Sequence, residues 1–166
     1  MAFDKIMLKR IKKIPGVEMV EVSKDEKLKN QLIVHTEMIQ LRSPCSKKLY
    51  DVGRFKIVFK NTGFIEYRQQ TLCNPSFINK DIEHTKQGIF FSTPILHPHL
   101  FGNGPCWGNI LDSIQPAVDN KDFFLATILC LQFLKNINPN GSYTLYLENT
   151  FPLSKGADEH ETKPKK

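Results

Sequence analysis

Between Thr93 and Asn109 the chain places three prolines and three glycines within seventeen residues. Proline fixes φ and removes a backbone donor, so neither a helix nor a ladder strand can be sustained through this stretch. A run of this length without regular structure is, inside a compact domain, a functional loop or a disordered linker. Phe101 and Trp107 argue against disorder, since disordered segments are poor in aromatic residues. The same segment concentrates His97, His99 and Cys106. It also divides the chain, because apolar residues mostly alternate before it and follow helical spacing after it.

On the N-terminal side, Ile6, Leu8, Ile11 and Ile14 sit among lysines and an arginine at near-helical spacing until Pro15-Gly16 stops the pattern. The spacing predicts a helix from Ala2 to about Lys13. Val17, Met19, Val20 and Val22 then suggest a strand, and Gln31 to Leu41 reads as a second one of period two. Arg54 to Lys60 alternates again through Phe55, Ile57 and Phe59, and Asn61-Thr62-Gly63 is a short turn that returns Phe64 to Leu72 as a hairpin. Asn79 to Thr85 has no decisive pattern, and Gly88 to Ser92 is apolar enough for a last strand. Beyond the irregular stretch Pro116 allows a turn, and Lys121 to Ile137 carries Phe124, Ile128, Leu131, Phe133 and Leu134 at helical spacing, with Asp119 or Asn120 as the cap. The expected class is α+β: an N-terminal helix, an antiparallel meander of about four strands, an irregular loop, and one or more C-terminal helices.

At 166 residues the chain has the size of one domain, expected to occupy residues 1–153 with a mobile polar tail over 154–166. No apolar run reaches the ~18 residues of a membrane span. Met1 to Lys12 mixes charges with Ile and Leu and does not read as a secretory signal. Cys45, Cys73, Cys106 and Cys130 show no CxxC pairing, and fit thiols of a reducing cytoplasm better than a disulfide framework. Cys130, within Ile128-Leu129-Cys130-Leu131, reads as a small apolar core residue. The net charge of +6 collects at the two ends, and no nucleic-acid motif accompanies it, so neither nucleic acid nor membrane is an expected partner.

His97-Pro98-His99-Leu100, then Asn103-Gly104-Pro105-Cys106, then Ile110-Leu111 and Pro116-Ala117 ahead of an apolar helix, resemble the active-site region of ubiquitin-conjugating enzymes. In that family a His-Pro-Asn tripeptide precedes the thioester-forming cysteine, and a Ser-Pro-Ala turn follows it. Cys106 stands ten positions before Pro116, which is the family register. Counted forward from the tripeptide, the loop is one residue short. His99 replaces the asparagine, and Trp107-Gly108 follows Cys106 in place of an aliphatic residue, a pattern more similar to divergent conjugating-like proteins of bacteria and phages than to eukaryotic members. The likeness covers most of the chain in the order of its elements, but only residues 93 to 139 in motif.

The resemblance implies a ubiquitin-conjugating-type fold in which Cys106 carries ubiquitin or a ubiquitin-like modifier as a thioester and passes it to an amine. A carrier thiol must be accessible, and a Gly/Pro-rich loop meets that need better than an apolar helix does. His99 would donate to the oxyanion, or else tie the loop to a carbonyl. His97 would brace the loop, while Asp112 would help deprotonate the incoming amine or simply be an exposed loop carboxylate. Asn138, before Pro139, resembles the family's Asn-Pro turn, although the intervening helix is longer here. Lys5, Lys9 and Lys12 would dock an activating enzyme, with a ligase or target protein as a further partner. No cofactor or metal is implied. Two alternatives stand beside this reading. One is a zinc site on His97, His99 and Cys106, which lacks a local fourth ligand. The other is a non-catalytic binding module of the conjugating-like or RWD type, which typically lacks the cysteine.

Overall fold

A computed structural model describes residues 3–23, 31–60, 65–71, 81–85, 88–91, 110–137, 147–149 and 151–155. Helix α1 spans Lys5–Lys12, with Asp4 as its cap, accepting at 3.0 Å from the Ile6 amide. The basic last turn of Lys9, Arg10 and Lys12 complements the negative end of the helix dipole. Gly16, at φ +92°, turns the chain into β1 (Val17–Val22). A side chain is disfavoured there on two counts, because a Cβ on Gly16 would also lie 2.5 Å from Lys135 Nζ.

Strands β2 (Leu32–Thr36), β3 (Ile39–Arg42), β4 (Leu49–Phe59), β5 (Ile65–Thr71), β6 (Asp81–Thr85) and β7 (Gly88–Phe91) follow in chain order. The sheet order is β1-β2-β4-β5-β6-β7, every pairing is antiparallel, and β3 pairs with β4. The meander thus extends past four strands through the β6–β7 hairpin. Residues 81–85, which lack a clear pattern in the sequence, form β6.

The single strand expected from Gln31 to Leu41 is interrupted at Glu37 and Met38. The register survives the interruption: Leu32 faces Phe59, His35 faces Lys56, Leu41 faces Tyr50 and Arg42 faces Leu49, so β2 and β3 continue one another along β4. At the break a side chain takes over from the ladder. Thr36 Oγ1 accepts from the Phe55 amide at 3.0 Å and donates to the Glu37 carbonyl at 2.8 Å. β4 begins at Leu49, five residues ahead of the alternation at Arg54. It runs through Gly53, whose φ of 150° accommodates the adjoining register shift.

Cross-strand partners share a face of the sheet, so Val34 lies beside Ile57, and Leu32 beside Phe59, on the side that meets the helices. The Phe123 ring packs edge-on against both Phe59 and Phe3, with centroids 5.5 and 5.3 Å apart. The opposite face carries an ion pair between Glu18 and Arg54 at 2.7 Å and a hydrogen bond between Glu21 and the buried His35 at 2.9 Å. One hydrophobic cluster draws on α1, the sheet, both later helices and Phe151.

Helix α2 (Ile110–Asp119) contains Pro116 in its interior, and the turn expected at that proline falls instead between the helices at residues 120–122. Lys121, at φ 60°, makes this turn tight, and the Asp122 amide reaches back to the Ala117 carbonyl at 2.8 Å. Asp122 caps α3 (Phe123–Leu134) by accepting from the Leu125 amide at 3.0 Å, which displaces Asp119 and Asn120 from the expected role. Cys130 is fully buried in α3, as its apolar neighbours suggest.

A single helical turn over 147–149 leads into a strap. The Asp51 amide bonds the Pro152 carbonyl at 2.9 Å, the Ser154 amide bonds the Leu49 carbonyl at 3.0 Å, and Tyr50 bridges to Leu153. Ser154 Oγ donates to Asp51 Oδ1, to which Gln40 also donates. Ser43 Oγ donates to Glu148, which also accepts from the Ser46 amide at 3.2 Å. Ser154, at the head of the expected polar tail, is therefore buried and bonded, while residues 156–166 lie outside the described residues.

Candidate functional site

The proline- and glycine-rich segment leaves β7 after Phe91 and enters α2 at Ile110. β7 ends the described strand order, so the segment connects one sheet edge to the helical layer. Helix α2 is held by packing, because Ile114, Ala117 and Val118 are buried and α2 contacts α3. Cys106 stands four residues before the first residue of α2. Cys106, His97 and His99 lie outside the described residues, as do Asn138 and Cys73.

Asp112 is described, and it lies on a helix where a loop position is expected. It is exposed in the first turn of α2, where a carboxylate meets the positive end of the helix dipole. Lys5, Lys9 and Lys12 are exposed along one stripe of α1, turned away from the buried Ile11 and Ile14. Cys45 is exposed on the β3–β4 connection, and its amide donates to Ser43 Oγ at 3.1 Å. Hydrogen bonds from Ser43 and Ser46 hold the Glu148 carboxyl below the usual glutamate range. Among the described residues there is no group of three or more metal-ligating side chains, and no helix is long and apolar enough to cross a membrane.

The described residues also form an open groove of about 880 Å³ between α1 and α3. Its floor is Ile14, Phe124, Ile128 and Leu131, and Arg10, Lys13 and Lys135 stand along its rim. The Arg10 guanidinium sits 4.6 Å above the Phe124 ring centroid, a cation–π contact that holds the charge over the apolar floor. The sequence carries one sign of this groove. Within Phe123–Leu134 only Thr127 and Gln132 are polar, so the helix is apolar on more faces than one core contact covers. That α1 lies alongside it is a tertiary fact with no local signature.

No protein-family profile, characterised protein or solved structure matches this chain.

Proposed function

We propose that this chain is a ubiquitin-conjugating-type acyl carrier in which Cys106 holds a ubiquitin-like modifier as a thioester and delivers it to an amine, usually a lysine. The observation that supports this most is the order of elements around the cysteine. A helix and an antiparallel meander precede the segment, and α2 begins four residues after Cys106. A proline- and glycine-rich segment suits a carrier thiol better than an apolar helix does, and Cys130, on such a helix, is fully buried.

The chemistry proceeds in two exchanges. In the first, the Cys106 thiolate attacks the carbonyl carbon of a modifier already joined as a thioester to an activating enzyme. The new C–S bond forms as the old one breaks, and the activating enzyme's cysteine leaves as thiolate. In the second, an uncharged amine attacks the same carbon. A C–N bond forms, the Cys106 thiolate leaves, and the surplus ammonium proton passes to a base. Asp112, six residues after Cys106 and exposed at the start of α2, is suited to take that proton. The oxyanion between the two states needs a donor ~3 Å away, and the His99 imidazole N–H serves where the family has an asparagine. Neither exchange requires a metal or cofactor.

The test is adduct formation with the cognate activating enzyme, ATP and modifier. Wild-type protein should give a species cleaved by reducing agent, Cys106→Ala none, and Cys106→Ser an oxyester that survives reduction. An unmodified Cys106 with those partners present would overturn the carrier reading and leave the alternative, a binding module of the same fold. The replacement of asparagine by His99 is the feature favouring that alternative.

A further inference from the structure

We infer that the α1/α3 groove binds an acidic amphipathic helix of a partner protein, whatever chemistry Cys106 performs. The apolar floor runs along α3 at positions i, i+4 and i+7, namely Phe124, Ile128 and Leu131, and the rim residue Lys135, the C-cap of α3, continues the line at i+11, so the groove extends roughly 16 Å along the helix. That length matches three turns of a partner helix. Such a helix would place large apolar side chains at i, i+3, i+4 and i+7. Leu125, on the adjacent stripe, remains 42% exposed, so the apolar surface continues past the groove lip.

The rim fixes the sign of the partner's charge. Arg10 and Lys13 project from α1, Lys135 from the end of α3, and no carboxylate is among the described residues that line the groove. Arg10 is held in place by stacking on Phe124, and Lys135 lies over the Gly16 turn. They form a stripe distinct from that of Lys5, Lys9 and Lys12. On α1 this stripe continues one turn earlier at Ile6, which is 68% exposed. Nucleic acid would leave the apolar floor uncovered. A bilayer would have to enter a concave surface, whereas interfacial helices insert a protruding apolar face.

The experiment uses the full chain and two fluorescein-labelled 15-residue peptides with identical Leu and Phe positions, one with glutamate at every polar position and one with lysine. Anisotropy should show the glutamate peptide binding, with affinity falling as salt rises, and the lysine peptide not binding. Arg10→Glu/Lys13→Glu/Lys135→Glu, checked for folding by circular dichroism, should lose at least tenfold for the glutamate peptide and gain binding of the lysine peptide. Phe124→Ala, which leaves the three cations, should weaken the glutamate peptide severalfold. The inference is overturned if the glutamate peptide binds no tighter than millimolar, or if charge reversal leaves its affinity unchanged. It is equally overturned if phosphatidylserine vesicles, and not the peptide, bind in a charge-reversal-sensitive way, or if sedimentation shows that a second copy of the chain already fills the groove.

Discussion

Thr36 bridges the break between β2 and β3, and replacing it by valine isolates what its hydroxyl contributes. Valine keeps the β-branched shape and the methyl group of a residue with no exposed surface, and removes only the oxygen. That oxygen accepts from the amide of Phe55, itself fully buried, at 3.0 Å. Removing the acceptor of a buried donor costs about 1–3 kcal/mol. The second bond, to the carbonyl of exposed Glu37, adds little because water can replace it. For a chain of this length each kcal/mol moves the melting temperature by about 2–4 °C, so Thr36→Val should melt roughly 2–12 °C lower. Thr36→Ser keeps the hydroxyl and loses one buried methyl, at about 1 kcal/mol. Urea and thermal unfolding followed by circular dichroism would measure both. If apolar burial alone held this point together, the valine variant would be at least as stable as wild type and the serine variant the weaker of the two. That ranking would refute the claim that a side chain replaces the ladder here.

Two further outcomes follow from other junctions. Gly16→Ala should destabilise by about 1–3 kcal/mol, because its φ of +92° is costly for any residue with a Cβ and the new methyl displaces Lys135. Adding Lys135→Ala should recover only the displacement part in chemical denaturation, and full recovery would mean that the backbone conformation costs nothing. Glu148, whose carboxyl titrates below the ordinary glutamate range, stabilises the fold above that range and loses the contribution as the pH falls through its lowered value. Melting curves from neutral pH down to about pH 3 should therefore show a stability advantage over Glu148→Gln that disappears in acid. A difference independent of pH would show that the Ser43 and Ser46 contacts do not depend on the charge.

The elements legible in the sequence were those that obey a single period over many residues. α1, β1, the β4–β5 hairpin, β7 and α3 lie close to where alternation or helical spacing places them. The misreadings have local physical causes. Gly53 punctuates the sequence like a strand boundary, yet its positive φ serves a bulge inside β4. Pro116 reads as a turn, but it sits within α2, whose buried Ile114, Ala117 and Val118 hold it on the core. Asp81–Thr85 lacks an apolar period, and its strand is defined by pairing with β5 and β7. Of the candidate site, Cys106 is visible only as a motif, through the His, Pro and Gly residues beside it in the chain that carry the resemblance, and it lies outside the described residues. The groove is nearly invisible, because it exists only where α1 and α3 meet.

The strap has a consequence for how the protein is made. Asp51 and Ser154, which bond to one another, are separated by 103 positions. At about 5–20 residues per second, a ribosome takes roughly 5–20 s to supply the second after the first. For that interval the Leu49–Asp51 edge of β4 stands without the segment that will cover it, and an uncovered edge can pair with another nascent chain. Lys47 and Lys48, both exposed and immediately ahead of Leu49, place two positive charges at the mouth of that edge. They would repel an identical neighbour on the same polysome while leaving the chain's own C-terminal segment free to close the sheet.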